Sequence, residues 1–267
     1  MTCMSASTAP QLCLEKDGAI AWIVIDNPDR MNALTAAMWE ALPRVMSEIE
    51  ADSSLRVVVL RGAGQRAFSA GADISEFETA RTGDSAARYD ALNHAAFMAL
   101  SGTRKPTIAM IHGFCLGGGL GLALSCDLRL ADETSQFAIP AAKLGIGYNA
   151  RWVRPILAAI SPARAKELLF TGRRFSAAHA AGMGLVNHVV TSKTLESETR
   201  ALAAEIAGNA PLSISAAKDV IDEFVRHPDN PNMTSLDARV AACFASEDYA
   251  EGRRAFLEKR KPVFKGR

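Results

Sequence analysis

Apolar positions along the chain follow two rhythms. Residues 19–25 and 56–61 are short, β-branched runs bounded by turn residues, a pattern that predicts buried strands. Between them Met38, Trp39, Leu42, Val45, Met46 and Ile49 recur at helical spacing behind a capping Thr35, so a helix is expected there although Pro43 removes one backbone bond. Strand, helix, strand is the unit of α/β folds. A second helical stretch over 85–100 leads into a strand over 106–112, and two short strands are predicted over 127–131 and 136–139. From about Thr191 the pattern is helical, over 212–225 and again over 234–260, with a break at 227–233 around Pro228 and Pro231. The expected organisation is a disordered leader over 1–10, an α/β core over 11–190 and a helical subdomain over 191–267.

Two loops interrupt these rhythms with glycine. Residues 113–121 read Gly-Phe-Cys-Leu-Gly-Gly-Gly-Leu-Gly, between the strand-like run at 106–112 and an apolar helical run. Each glycine in a helix costs about 1 kcal/mol against alanine, so a cluster at a helix start implies positive φ or a ligand against bare main chain. The N–H groups exposed there favour an anion or a developing oxyanion. Residues 62–74 also follow a strand and also end in small residues. Two main-chain donors from different loops, converging on one carbonyl oxygen, would form an oxyanion hole; the alternative is that both loops are tight turns and nothing more.

Composition narrows the chemistry. In 267 residues Lys and Arg number 30 and Asp and Glu 29, a net charge of +1, so no basic field points to nucleic acid or an anionic membrane. No run approaches a membrane span, and the leader lacks the basic and apolar regions of a secretion signal. Cys3, Cys13, Cys115, Cys126 and Cys243 are odd in number and scattered, without a C-x-x-C pair, which fits a reducing, cytoplasmic setting. The cluster at 113–121 fits no G-x-G-x-x-G register, and no phosphate-binding G-x-x-x-x-G-K-[ST] exists. The segment 67–71 lacks the first glycine of a nucleophile elbow, and no H-E-x-x-H suggests a metal.

Taken in order, Phe68-Ser69-Ala70-Gly71-Ala72-Asp73-Ile74, Lys105-Pro106 through His112-Gly113, and Leu116-Gly117-Gly118-Gly119 resemble the enoyl-CoA hydratase/isomerase (crotonase) superfamily. Asn32-Ala33-Leu34, Cys126-Asp127, Leu169-Phe170-Thr171-Gly172, Gly184-Leu185-Val186 and residues 255–260 agree with it. The resemblance implies an α/β, crotonase-like spiral of ββα units with a C-terminal helical trimerisation subdomain, assembled as trimers or as hexamers made of two trimers. It implies an acyl-CoA substrate and no separate cofactor, coenzyme A arriving as part of the substrate. By position, the N–H groups of Ala72 and Gly118 would hold the thioester oxygen, and Arg30, Ala33, Ala70, Asp73 and Ile74 would lie near the CoA moiety. Phe256 and Lys259 would approach the CoA of a neighbouring subunit.

The chain also departs from that pattern. Hydratases of the superfamily resemble one another in two glutamates that handle water and the α-proton, and here Gly121 and Ala141 stand at those places. Neither transfers a proton, a contribution typically worth about 10²- to 10⁴-fold per group. His94 matches a histidine of dehalogenase-like members, but their nucleophilic aspartate falls on Asn149, and an amide is no nucleophile. Tyr148-Asn149 resembles the methylmalonyl-CoA decarboxylase branch, whose chemistry needs no base, although that branch has a histidine at Ala72 and a glutamate at Gly121. Tyr148 is therefore the polar candidate for catalysis, with Glu76, Glu78 and Glu133 as carboxylates of unassigned position. Three readings follow: a lyase or isomerase other than a two-glutamate hydratase, a methylmalonyl-CoA decarboxylase-like enzyme, and a CoA-thioester-binding scaffold without turnover.

Overall fold

The computed structural model describes residues 9–76 and 84–267. Two sheets carry the core. The larger has the order β1 (Gln11–Asp17), β2 (Ile20–Asp26), β3 (Val57–Gly62), β5 (Thr107–Ile111), β7 (Leu128–Asp132) and β10 (His188–Val190). The smaller has the order β4 (Ala67–Ser69), β6 (Phe114–Leu116), β8 (Gln136–Ala138) and β9 (Phe175–Ser176). All neighbours run parallel except the β1–β2 and β8–β9 pairs.

The chain fills the sheets in turns, one strand in the large sheet, the next in the small one, then a helix. The turns are β3, β4 and α2 (Asp84–Ser101); β5, β6 and α3 (Gly118–Ser125); and β7, β8 and α4 (Ala150–Ala159). This is the expected spiral of ββα units. The burial of Val57 to Leu60 in β3 and of all five residues of β5 fits strands covered on both faces. One face packs against α1 (Ala36–Ala51), where Met38, Trp39, Leu42, Met46 and Ile49 are buried as their spacing predicts, Thr35 Oγ1 accepts from Met38 N, and Pro43 is accommodated. The other face, with Trp22, Val57, Val59, Ile108 and Met110, is covered by α7 (Leu195–Ala207) through Leu195, Ala203 and Ala207.

Three expectations change. The glycine cluster does not pass directly from strand to helix: it contains β6, reached through a corner at Gly113 with φ 58°. A Cβ at Gly113 would lie 2.0 Å from Arg66 O, so only glycine lets the chain step from one sheet to the other here. The stretch over 234–260 is two helices, α9 (Met233–Phe244) and α10 (Glu247–Leu257), because Ser246 caps the second by accepting from Tyr249 N and Glu247 and Asp248 supply acid to its first turn. Cys13 is disulfide-bonded, a pairing its spacing did not announce, while Cys115, Cys126 and Cys243 are free. The expected leader lies mostly outside the described residues. Between α7 and α9, α8 (Pro211–Arg226) completes the helical tail, and among the described residues no helix is long and apolar enough to cross a membrane.

Candidate active site

The loop after β4 is held from three directions. Ala70 N donates to Met31 O at 2.9 Å, Gly71 N to Ser69 Oγ at 3.1 Å, and Asp73 N to Leu34 O at 2.9 Å, while Gly71 O accepts from Leu34 N. Its support is a short turn, Pro28–Arg30, shaped by two buried asparagines. Asn27 Nδ2 donates to Ala33 O, and Asn32 Nδ2 donates to Ala63 O and Ala67 O. Of the four N–H groups from Ala70 to Asp73, that of Ala72 alone has no acceptor among the described residues.

The second loop presents a matching donor. Gly117 N donates to Ala138 O, whereas Gly118 N, in the first turn of α3, has no acceptor within the helix. A Cβ built on Gly71 would lie 3.2 Å from Gly118 N, and one on Gly118 would lie 3.7 Å from Ala72 N. The two free donors therefore flank one small space, at the positive end of a helix dipole. The structure brings together the two residues named for an oxyanion hole, and among the described residues neither N–H group has an acceptor.

A run of aromatic rings starts beside this space at Trp39. Trp39, fully buried, would sit 3.2 Å from a Cβ on Gly118, and its indole N–H donates to the Tyr89 hydroxyl at 3.1 Å. Phe97 of α2 stands edge-to-face with Trp39 and with Trp152 of α4, centroids 5.6 Å apart in each case, and Trp152 meets Tyr148 at 5.8 Å. Tyr148 is half-buried, its hydroxyl has no protein partner among the described residues, and burial pushes its phenol well above the ordinary tyrosine value. Trp152 Nε1 is buried with no partner among the described residues.

The other named residues distribute as follows. Arg30 Nη1 donates to both oxygens of Asp73, at 3.1 and 3.2 Å, and to Ser75 Oγ at 2.6 Å, so Arg30 and Asp73 are paired with each other. Burial opposes ionisation of Asp73, but the Ser75 hydroxyl and N–H and the Arg30 charge outweigh it and hold its carboxyl below the usual range. Ala33 is buried, Ala70 half-buried and Ile74 71% exposed beside that pair. Phe256 and Lys259 sit at the far end of α10, exposed. Glu76 is not a loose carboxylate: it accepts from Ala36 N at 2.8 Å and caps α1. Glu133 is exposed in the turn after β7, bonded through its N–H to Val190 O, and Glu78 lies outside the described residues. Asn149 caps α4 through Arg151 N, and its Nδ2 donates to Asp90 Oδ2 at 3.3 Å; His94 lies half-buried on α2.

Phe97, Trp152 and Asp90 were missed from the sequence. Their apolar or charged spacing on α2 and α4 reads as ordinary helix faces, and only the packing of α2 and α4 against α3 assembles them.

The description of the family model that matches residues 15–267 is enoyl-CoA hydratase/isomerase. A short-chain-enoyl-CoA hydratase of Clostridium acetobutylicum is 34% identical over 93% of this chain and 95% of that protein. A carnitinyl-CoA dehydratase of Salmonella enteritidis is 34% identical over 96% and 98%. Among solved structures, an enoyl-CoA hydratase/carnithine racemase from Magnetospirillum magneticum superposes with a TM-score of 0.89 at 39% identity, covering 98% of this chain and 97% of that one. An enoyl-CoA hydratase/isomerase family protein from Hyphomonas neptunium gives a TM-score of 0.92 at 38% identity, covering 97% and 99%.

Proposed function

Because the chain belongs to the enoyl-CoA hydratase/isomerase family, we propose that it acts on an acyl-CoA thioester by forming an enolate whose oxygen is held by Ala72 N and Gly118 N. The observation that carries this is the pair of unengaged N–H groups flanking one space. A thioester enolate concentrates charge on one oxygen, and each aligned donor in a dry site contributes about 3 kcal/mol to that transition state. Water chemistry, named for the Clostridium and Salmonella relatives, is disfavoured here by Gly121 and Ala141, neither of which carries an ionisable group. The reading is a lyase or isomerase.

A decarboxylase-like variant is favoured by one observation, the un-ionised hydroxyl of Tyr148, which has no partner among the described residues. In a malonyl-type thioester the bond to the carboxylate breaks, its electron pair becomes the enolate, carbon dioxide departs, and a proton from the tyrosine hydroxyl reaches the α-carbon and is replaced from solvent. The CoA moiety would lie along Arg30, Ala33, Ala70, Asp73 and Ile74, with Arg30 as a cation for its phosphates. Phe256 and Lys259 would reach the CoA of a neighbouring subunit. Assembly as a trimer or hexamer is supported by a groove of about 830 Å³ in the helical tail, lined by Ile221, Val240, Phe244 and Phe256, and by the exposure of Phe256 (84%) and Leu257 (79%). Sedimentation of the purified chain tests that assembly.

The activity is tested by incubating the protein with crotonyl-CoA, 3-butenoyl-CoA and methylmalonyl-CoA and following products by mass. Isomerisation or decarboxylation is the expected outcome. Rapid hydration of crotonyl-CoA that survives Tyr148→Phe overturns the mechanism, and tight thioester binding without turnover makes the protein a scaffold.

A further inference from the structure

Gly121 lies one turn beyond Gly118 on α3, so its Cα–H faces the same region as the free donors. A Cβ placed there would meet Phe97 Cζ at 2.8 Å and Cε1 at 3.1 Å. Phe97 is 7% exposed, and its ring stands between Trp39 and Trp152 at 5.6 Å from each, so a shift of the ring would disturb both edge-to-face contacts. Gly121 and Phe97 are thus a matched pair: the helix gives up a side chain where the ring needs the room. The space into which a residue at 121 would project is filled with ring carbon, continuous with the Trp39 ring beneath Gly118 and with Trp152.

We infer that Phe97 is a reaction-specificity residue, whose ring keeps water off the face of the bound acyl group beside Gly121. The inference rests on the acyl-CoA reading above and goes beyond it. Hydration requires water oxygen to bond to the β-carbon while the α-carbon gains a proton, and a water must stand beside the acyl group to do so. With that position occupied by an apolar ring, an enolate formed by loss of the α-proton to water on the opposite face, or by loss of carbon dioxide, can be held by the donor pair and reprotonated, but no water stands beside the β-carbon to hydrate the double bond. The missing carboxylate is then not a simple loss, because the first carbon of any side chain at 121 would already meet the Phe97 ring at 2.8 Å and require the ring to shift.

The experiment uses the full chain, its Phe97→Leu, Phe97→Ala, Gly121→Ala and Gly121→Ala/Phe97→Leu variants. In deuterium oxide, α-deuterium incorporation into 3-butenoyl-CoA reads enolate formation; in H₂¹⁸O, the hydroxyacyl product of crotonyl-CoA reads hydration. Expected results are exchange without hydration in the unaltered protein, and a rise of about tenfold or more in the hydration-to-exchange ratio in Phe97→Ala, the loss of one water-excluding group being read on a logarithmic rate scale. Thermal midpoints provide a readout independent of activity and remain informative if Phe97→Ala fails to fold. Gly121→Ala should lower the midpoint, and Phe97→Leu should recover part of that loss in the double variant. Hydration by the unaltered protein at the rate of exchange overturns the inference, as do a folded Phe97→Ala with an unchanged ratio and strict additivity of the two positions. Absence of thioester binding and of exchange in the unaltered protein instead sinks the acyl-CoA reading, and the inference with it.

Discussion

Gly71→Ala is the sharpest test of the proposed oxyanion hole, since the substitution leaves both N–H donors in the chain and changes only the space between them. Gly71 has φ 97°, and an added Cβ would sit 2.8 Å from Leu116 O and 3.2 Å from Gly118 N. The backbone conformation costs an L residue about 1–2 kcal/mol. Displacing a carbonyl fixed in β6 adds about 1–3 kcal/mol of overpacking strain. Together these lower the thermal midpoint by roughly 5–15 °C for a chain of this size. The methyl group also covers the donor of Gly118, and loss of one oxyanion donor typically lowers kcat about 10²- to 10³-fold. Gly172→Ala is the control for backbone strain: φ is 52° there, and the nearest atoms to a Cβ, at 3.2 and 3.3 Å, belong to Pro140 and Lys143, in the turn after β8. Both variants are measured by calorimetry and by α-deuterium exchange per folded molecule. A folded Gly71→Ala with exchange within about threefold of the parent refutes the donor pair, because a blocked hole cannot retain that rate.

Three further outcomes follow from the same geometry. Burial raises the Tyr148 phenol, so its neutral form, and the stability that depends on it, persists below the unfolded value of about 10 and is lost only as pH climbs toward the folded value; the kcat profile should show no break from this group below pH ~10, and Tyr148→Phe should reduce kcat by about 10²-fold or more while leaving thioester affinity near that of the parent. The Asp73 carboxyl is held below its ordinary value, so its contribution is present above about pH 4 and is lost as pH falls through the folded value; titration by NMR should give a folded value under that of a model peptide, and CoA affinity should weaken over the same acidic window. Asp248, 3% exposed, accepts from Lys265 N at 2.6 Å and Gly266 N at 2.8 Å; Asp248→Ala leaves these donors unpaired, should cost about 1–3 kcal/mol, and should release the amides of Lys265 and Gly266 to rapid hydrogen exchange while leaving those of β5 protected.

Legibility of the sequence tracked the range of the interactions involved. Continuous apolar runs announced β2, β3, β5 and β7, and the spacing of Met38, Trp39, Leu42, Met46 and Ile49 announced α1, because each of these signals is contained within one element. Of the small sheet only β8 was read, as a short strand over 136–139. Strands β4 and β6 are 3 residues long and β9 is 2, too short to show an alternation. The break at Ser246 was hidden because capping outweighs an otherwise continuous helical pattern. In the site, Ala72 and Gly118 were named through motif resemblance and the structure places their donors together, whereas the bonds of Arg30 to Asp73 and Ser75, partners more than 40 residues away, carry no local signal. Phe97 was invisible for the same reason: its meaning is given by Gly121, and nothing local to either residue encodes the contact.

The glycines of α3 therefore do several different jobs. Gly118 lets the Trp39 ring lie 3.2 Å from where its Cβ would be, Gly119 lets Ser69 approach to 2.7 Å, and Gly121 admits Phe97. Within about one turn of helix the backbone thus meets an α1 ring, a β4 residue and an α2 ring. Each glycine costs the helix about 1 kcal/mol against alanine, but alanine at 119 would have to displace Ser69 O, a backbone atom in a strand, as well as the Ser69 hydroxyl that accepts from Gly71 N. The helix is weakened so that two sheets and two helices can close on its first turns. That closure fixes Ala72 N opposite Gly118 N, so the placement of the donor pair is a product of packing. The positive end of α3 alone would attract an anion of any shape; the contacts of Gly118 with Trp39 and of Gly119 with Ser69 add a fixed position for Gly118 N beside Ala72 N.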